Sequence, residues 1–374
     1  MIIIIIVLSF ENCYHLFVEE VDKNLMKTIH NESKHNESKR VQSKVQSRPL
    51  IAMIIIVGGL AALFLGITLS ISLGAVNIHF RTVWEAVFHF NPDSSQHQVV
   101  RQIRLPRALA GAIVGAAFAV AGCIMQGITR NPLASPDLIG LNAGSAFALA
   151  VCFSFFPGMS FHSIIMFSFA GAALGTGIVY GISSISRGGP TPIRLTLAGA
   201  AVSALLLSFS QGLSIYFHTA QNISFWYAGG LGGTDWGIIK MISPWIAAGL
   251  VGSLVLSRSI TIMSLGDDIA ASLGQRTTLV RAASAILVLV LGGAAVAAVG
   301  PVGFIGLVIP HIARLLVGVD YKWSIPCSAV LGALLLVFAD IGARVINAPY
   351  ETPVGAITAL IGVPFFLYLA RKEK

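Results

Sequence analysis

Long stretches of this chain contain no charged residue. Residues 50–76, 108–129 and 138–186 hold no Asp, Glu, Lys or Arg over 27, 22 and 49 positions. In a helix, about 20 apolar residues cross the hydrocarbon core of a bilayer. Charged residues make up 11% of the chain, whereas soluble domains carry about 25%. The sequence therefore predicts an all-α polytopic membrane protein.

The uncharged runs predict about ten transmembrane helices. Two runs are too long for one crossing, and Pro and Gly divide them at 156–158 and at 299–303. The predicted crossings lie within residues 50–76, 108–129, 138–186 (two), 195–217, 241–257, 282–313 (two), 323–339 and 352–370. Glycine pairs at four-residue spacing predict close helix packing within the chain, in preference to a dimer interface: Gly111 with Gly115, Gly171 with Gly175, and Gly177 with Gly181.

The distribution of Lys and Arg predicts the orientation of the chain. An even number of crossings places both termini on one side of the membrane. With the N-terminus inside, 18 of the 24 Lys and Arg lie on the cytoplasmic side and six lie outside. This bias follows the positive-inside rule, so both termini are predicted to be cytoplasmic.

The first 49 residues differ in character from the rest. The sequence HNESK occurs at 30–34 and again at 35–39, and such polar repeats bury little apolar surface. We expect a disordered, basic cytoplasmic tail at residues 1–49 and a transmembrane domain at residues 50–374. Met26 is a candidate for the natural start, in which case residues 1–25 come from a mis-called start codon.

The absence of nucleotide-binding, catalytic and metal-binding motifs limits the classes of function that the sequence can have. The sequence contains no G-x-x-x-x-G-K-[ST], H-E-x-x-H or G-x-S-x-G, and its four cysteines lack metal-ligand spacing. A catalytic site and a metal site are therefore not expected. An ion-coupled secondary transporter normally carries a carboxylate or histidine near mid-helix, and the scarcity of such residues disfavours that class. The pattern indicates a passive pathway that a partner energises.

An arginine-rich sequence, RQIRLPR, precedes the second crossing on the predicted outer side. Arg101, Arg104 and Arg107 run against the positive-inside rule there. Two interpretations stand equally on composition alone. The side chains either bind lipid headgroups by snorkelling, or they dock an acidic partner.

The longest internal cytoplasmic loop, residues 258–281, contains a short amphipathic sequence. Apolar residues recur every four positions after an acidic start, which predicts a two-turn helix with an aspartate N-cap and a glycine stop. This helix either rests on lipid or serves as a lever for a cytoplasmic motor, and the loop length favours the lever. Its residues are Leu265, Gly266, Asp267, Asp268, Ile269, Leu273 and Gly274.

Two further segments are rich in Pro and Gly. Residues 131–137, NPLASPD, predict a tight cytoplasmic turn with Asp137 as an N-cap. Residues 300–314, GPVGFIGLVIPHIAR, break a predicted membrane helix. Backbone groups freed by such a break are tolerated only against protein or a water-filled path.

Several ordered motifs resemble the FecCD-type permeases, the membrane subunits of ABC importers for ferric siderophores, haem and cobalamin. The motifs are RLPR at 104–107, GCIMQ and NPLA within 122–134, GFIGLVIPH at 303–311, ADIGAR at 339–344 and ETPVG at 351–355. The resemblance covers the chain from about residue 50 onward. It implies a BtuC-like ABC importer permease fold in the bacterial cytoplasmic membrane and transport by alternating access. A ferric siderophore is the expected cargo, with cobalamin or haem as the alternative, and an ion-coupled secondary transporter is the alternative outside this class.

The resemblance also implies partners and site residues. The partners are a second permease subunit (homodimer or heterodimer), two cytoplasmic ABC ATPases that bind ATP, an extracytoplasmic substrate-binding protein and membrane lipid. No nucleic acid and no cofactor of the chain's own are expected. Arg104, Arg107 and Arg344 match arginines that pair with glutamates of the binding protein. The amphipathic sequence at 265–274 matches the coupling helices that contact the ATPases. The implied gate and translocation path contains Trp226, Gly229, Gly230, Gly303, Gly306 and Pro310.

Overall fold

A computed structural model describes residues 47–74, 78–185, 191–347 and 350–372, and no β-strand occurs among them. The predicted tail up to residue 46, including both candidate start positions, lies outside the described residues. Residues from Arg48 onward belong to one compact unit.

Fourteen α-helices make up the described chain. In order they are α1 (Pro49–Ser72), α2 (Phe80–Phe88), α3 (Ser95–Val99), α4 (Leu105–Thr129), α5 (Leu141–Phe155), α6 (Phe161–Ile185), α7 (Pro192–Tyr216), α8 (Ala220–Ala228), α9 (Trp236–Ser264), α10 (Asp267–Ser272), α11 (Thr277–Val299), α12 (Ile305–Val317), α13 (Tyr321–Val345) and α14 (Val354–Lys372). A π-helical turn, Val100–Arg104, joins α3 to α4, and a 3-10 helix, Pro136–Ile139, precedes α5.

Each of the ten predicted crossings coincides with one apolar helix of the described chain. Seven helical segments in the described part of the chain are long and apolar enough to cross a membrane, and α5, α12 and α14 are shorter apolar helices. The predicted bounds of some crossings are too narrow. The sixth was predicted at 241–257, whereas α9 runs from Trp236 to Ser264 with Lys240 and Arg258 inside it. Charged side chains near helix ends reach the interface, so an uncharged run underestimates the length of its helix.

Helix α4 lies at the centre of the fold. The span Ser95–Thr129 contains this helix, and 83% of the most apolar 18-residue stretch of that span is buried inside the protein. Helix α13 runs antiparallel along it, with Gly115 facing Gly332 and Gly127 facing Tyr321. A β-carbon on Gly115 would overlap the carbonyl group of Gly332, so the close approach of these helices requires glycine. Helices α9, α11 and α12 cover other sides of α4.

The predicted glycine faces divide into two kinds. The pair on α4 packs within the chain, and Gly171 and Gly175 of α6 pack on α5 around Gly144. Intrachain packing is confirmed for these two pairs. At Gly177 and Gly181, a β-carbon would meet no described atom within 4 Å. The third pair therefore does not pack against the described part of its own chain, which differs from the prediction.

Candidate functional site

Four charged side chains meet where α4 begins and α13 ends. Asp340, 1% exposed, lies between two arginines: its Oδ1 is 2.8 Å from Nη2 of Arg107 and its Oδ2 is 3.1 Å from Nη2 of Arg344. A second nitrogen of Arg107, Nε, donates to Oδ1 of Asp340 at 3.0 Å. Nη1 of Arg107 lies 2.6 Å from Oε1 of Glu351. We call these four residues the outer ion cluster, because the predicted topology places them on the outer side.

The arginines also hold the end of α1. Arg344 donates to the carbonyl oxygens of Ser70 and Leu73 at 3.0 and 3.1 Å. Arg104 donates to those of Ile71 and Ser72 at 2.7 and 3.1 Å. The last carbonyl groups of a helix lack partners within the helix and carry partial negative charge. The three arginines predicted for docking are therefore brought together, with Arg107 and Arg344 buried and Arg104 partly exposed.

The segment at 226–230 that is predicted for the gate is in backbone contact with residues 299–301. The N–H of Gly230 donates to the carbonyl oxygen of Val299 at 2.8 Å. Gly229, with φ +62°, faces the carbonyl oxygen of Pro301, which a β-carbon would approach to 3.0 Å. Gly300, with φ +75°, faces the carbonyl oxygen of Trp226, which a β-carbon would approach to 2.5 Å. Positive φ and close backbone approach together account for glycine at these positions.

The remaining residues predicted for the gate and path, Gly303, Gly306 and Pro310, lie in a segment that begins beside the middle of α4. Gly306 of α12 lies against Phe118 and Gly122 of α4, and a β-carbon on Gly306 would lie 2.9 Å from the Phe118 carbonyl oxygen. Gly303, just before α12, is exposed with open space around it. In the irregular backbone that precedes α12, Val302 is buried and Gly303 is exposed. Such backbone at membrane depth occurs where it is packed in protein or lines a cavity.

A polar contact compensates for the hydrogen bond that Pro310 removes inside α12. Proline has no N–H to donate to the carbonyl group four residues earlier, which here belongs to Gly306. The amide Nε2 of Gln126 lies 3.5 Å from this oxygen and 3.0 Å from the carbonyl oxygen of Leu307. Arg314 donates to Oε1 of Gln126. A buried glutamine of α4 therefore connects α12 to the fold through side-chain hydrogen bonds.

The segment predicted to contact the ATPases, residues 265–274 (called the coupling segment for that prediction), contains the six-residue helix α10. Gly274, with φ +77°, follows the helix as predicted. The predicted aspartate N-cap is wrong, because Gly266 holds that position without a side-chain hydrogen bond. Asp267 instead lies 2.9 Å from Nη2 of Arg281 and 3.3 Å from Nη2 of Arg130. The large apolar side chains of the segment form an exposed stripe of Leu265, Ile269 and Leu273.

The cap predicted in the turn at 131–137 is also wrong. Ser135 precedes the 3-10 helix and its Oγ accepts a hydrogen bond from the N–H of Asp137 at 3.2 Å. The Asp137 side chain accepts a hydrogen bond from Asn142 at 2.5 Å. A serine two residues earlier competes well for the free N–H groups at a helix start.

Sequence reasoning missed the acidic members of the outer ion cluster. Asp340 and Glu351 are separated from Arg107 by 233 and 244 positions, so no local pattern pairs them. A weaker signal is present in the sequence. Both residues lie inside motifs, ADIGAR and ETPVG, that supported the family resemblance.

Comparison with known proteins agrees with this architecture. A protein-family model described as the FecCD transport family matches residues 62–372. A solved structure of a metal-chelate type ABC transporter in an inward-facing conformation superposes with a TM-score of 0.75 at 29% identity, covering 85% of this chain and 99% of that one.

Three curated relatives carry names that describe their cargo. The iron(3+)-hydroxamate import system permease protein FhuB of Bacillus subtilis is 53% identical, over 93% of this chain and 91% of the relative. The ferric enterobactin transport system permease protein FepD of Escherichia coli is 39% identical, over 84% and 94%. The hemin transport system permease protein HmuU of Yersinia pestis is 35% identical, over 89% and 98%.

Proposed function

This chain belongs to the FecCD transport family, and from that premise we propose that it carries ferric hydroxamate siderophores as the permease subunit of a bacterial ABC importer. The observation that carries the cargo assignment is the high identity to a hydroxamate permease along almost the whole chain. Relatives named for enterobactin and hemin are less similar over comparable lengths. Haem and cobalamin remain the alternative cargoes.

The proposed complex contains two permease subunits, two cytoplasmic ATPases and an extracytoplasmic binding protein. ATP is bound and hydrolysed by the ATPases, and both termini of the permease face them. The permease itself contributes no substrate chemistry. It alternates between outward-open and inward-open states as the ATPases close and separate, and the cargo passes between the two permease subunits.

Docking of the binding protein is assigned to the surface around Arg104, Arg107 and Arg344. Three arginines face two carboxylates there, Asp340 and Glu351, so the region carries a net positive charge. Positive patches steer and orient acidic partners. Arg101 extends this patch at the surface, where its guanidinium lies 4.6 Å from the ring centre of Phe90.

Coupling to the ATPases is assigned to the exposed apolar stripe of the segment 265–274. An exposed apolar stripe beside charged residues is typical of a surface that a partner covers. Asp267 connects this segment to α11 through Arg281 and to the end of α4 through Arg130. A displacement of the segment by an ATPase would therefore reach two long helices directly.

The gate is assigned to the contact between residues 226–230 and 299–301, and the path continues past Gly303, Gly306 and Pro310. The support for this assignment is the irregular backbone beside the middle of α4, which is an unusual arrangement among long apolar helices. Hydrogen bonds between backbone groups, such as that from Gly230 to Val299, can open without exposing a buried charge.

Reconstitution tests the proposal. The permease, its ATPases and its binding protein are placed in liposomes, and uptake of radiolabelled iron is measured for a ferric trihydroxamate, a ferric catecholate and hemin. We expect saturable, ATP-dependent uptake with preference for the trihydroxamate. Preference for hemin would reassign the cargo. Uptake driven by an ion gradient without ATP would instead establish a secondary transporter.

A further inference from the structure

Glu351 differs from the other members of the outer ion cluster in its exposure. Its side chain is 54% exposed, whereas those of Asp340 and Arg107 are 1% and 8% exposed. Glu351 is also held by its backbone surroundings, since the N–H of Thr352 donates to the carbonyl oxygen of Ala343 at the end of α13 at 3.1 Å. The carboxylate therefore lies at the surface edge of an otherwise buried cluster.

The Glu351 carboxylate binds Arg107 and lies close to the α8–α9 connection. One oxygen, Oε1, lies 2.6 Å from Nη1 of Arg107. The other, Oε2, lies 2.8 Å from the position that a β-carbon on Gly232 would take. Gly232 belongs to the α8–α9 connection, residues 229–235, whose first two glycines form the gate contact with Val299 and Pro301. A single side chain thus lies between an arginine assigned to docking and the gate.

The two carboxylates bound to Arg107 are not equivalent. Asp340 is buried, is bonded through two nitrogens of Arg107 and is shared with Arg344. Breaking a buried pair leaves an uncompensated charge and is strongly unfavourable, whereas an exposed pair contributes little net free energy. If a carboxylate from outside replaced Glu351, Arg107 would keep its pairing with Asp340. Glu351 is therefore the exchangeable partner.

We propose that Glu351 is a positioning residue that occupies Arg107 until a carboxylate of the docking protein displaces it, and that this displacement releases the α8–α9 connection. The inference rests on the proposed function for the identity of the docking protein. It assigns to Glu351 a role opposite to that of a docking residue, because Glu351 competes with the partner. Because the carboxylate lies close to Gly232, its displacement from Arg107 would change the surroundings of the α8–α9 connection.

Hydrogen exchange in the permease alone tests whether Glu351 restrains the α8–α9 connection. In the full chain with Glu351→Gln, we expect the amides of residues 229–234 to exchange about 2- to 5-fold faster, because the half-exposed partner of the pair loses its charge. Gly232→Ala approaches the same contact from the other side, since its β-carbon would push the carboxylate away, and should act in the same direction. Unchanged exchange in both variants would overturn the link between Glu351 and the gate.

Affinity for the binding protein of the same transport system tests whether Glu351 competes with that protein for Arg107. Glu351→Gln is expected to tighten docking about 2- to 10-fold, because Arg107 loses its internal competitor. Equal or weaker docking would overturn the competition. Glu85→Gln is the matched control, because Glu85 forms an exposed pair with Arg81 at 2.9 Å outside the cluster, and it should change neither measurement. If the wild-type permease bound no such protein, the proposed function would fail, and the exchange measurement would still decide the role of Glu351 at the gate.

Discussion

Arg107 and Arg130 lie at opposite ends of the same buried helix, and each pairs with a carboxylate from a distant part of the chain. Arg107 pairs with Asp340 at 2.8 Å, and Arg130 pairs with Asp267 of the coupling segment at 3.3 Å. At a helical rise of about 1.5 Å per residue, these ends are about 35 Å apart. The outer ion cluster and the coupling segment therefore lie at the two ends of one uninterrupted α-helix, α4.

The buried carboxylate of the outer ion cluster is expected to dominate its stability. Asp340→Asn should lower the free energy of unfolding by about 3 kcal/mol or more, because two buried arginines lose their shared counter-charge. Thermal unfolding of the purified permease measures this loss. Glu85→Gln removes a carboxylate from an exposed pair and should cost less than about 1 kcal/mol. Equal melting temperatures for the two variants would contradict the prediction.

Two glycines of α6 provide a matched test of helix packing. A β-carbon on Gly175 would lie 2.5 Å from the carbonyl oxygen of Gly140, whereas one on Gly177 would meet nothing within 4 Å. Gly175→Ala should therefore destabilise the protein by about 1–3 kcal/mol through overpacking. Gly177→Ala should be neutral or should stabilise by up to about 1 kcal/mol. The same unfolding measurement decides, and a loss of stability in both variants would refute the assigned packing.

Gln126 is expected to stabilise α12 through its amide group. Gln126→Met keeps the size of the side chain but removes the donor to the Leu307 carbonyl group and the acceptor for Arg314. Unsatisfied buried polar groups cost about 1–3 kcal/mol each. Met125→Leu changes the neighbouring buried residue without changing its polarity and serves as the control. If the two variants unfolded at the same temperature, the hydrogen bonds of Gln126 would not be stabilising.

The pairing of Asp267 should hold the coupling segment in place. Asp267→Asn weakens its contacts with Arg281 and Arg130, and we expect amides of residues 266–274 to exchange about 2- to 5-fold faster. Cargo transported per ATP hydrolysed should fall in the reconstituted importer. Asp268→Asn removes the same charge from the adjacent, exposed side chain and should leave the exchange unchanged. Identical exchange in both variants would exclude Asp267 as the anchor.

Among the three predicted docking arginines, Arg104 is the suitable position for charge reversal. Arg107 and Arg344 are buried against Asp340, so reversing either would disturb the fold. Arg104→Glu should weaken docking of the binding protein about tenfold or more at low salt, with a smaller effect at high salt because ions screen surface charges. Arg104→Gln separates the loss of the α1 contacts from the added charge. Unchanged docking in the reversed variant would remove Arg104 from the interface.

Much of the fold can be predicted because the apolar segments of the chain must lie in lipid. In lipid every backbone group must be paired within the chain, so each long uncharged run becomes a helix. Helix α8, Ala220–Ala228, was not predicted as a helix, because its nine residues are too few to cross a bilayer and follow α7 after a short turn. Its position depends on tertiary contacts with the backbone at 299–301, which no local pattern encodes.

The sequence predicts the arginines of the candidate site but does not predict the carboxylates that pair with them. Arg104 and Arg107 stood out because they oppose the positive-inside rule. Asp340 and Glu351 did not, since a carboxylate near a helix end is unremarkable until the arginine across the interface is known. The Asp267 pairing was missed for a related reason, because helix-start preference suggested a cap where a buried arginine, Arg281, competes for the same carboxylate.

The separation of 233 positions between Arg107 and Asp340 has a consequence for biogenesis. Chains emerge from the ribosome at about 5–20 residues per second, so Arg107 is inserted at least ten seconds or so before its counter-charge exists. Throughout that interval the first turn of α4 in the nascent protein lacks the buried carboxylate that pairs with Arg107. Arrival of α13 neutralises Asp340 and Arg107 together and closes the glycine contact along α4. A chain that ends before α13 lacks both the counter-charge of Arg107 and the glycine contact along α4.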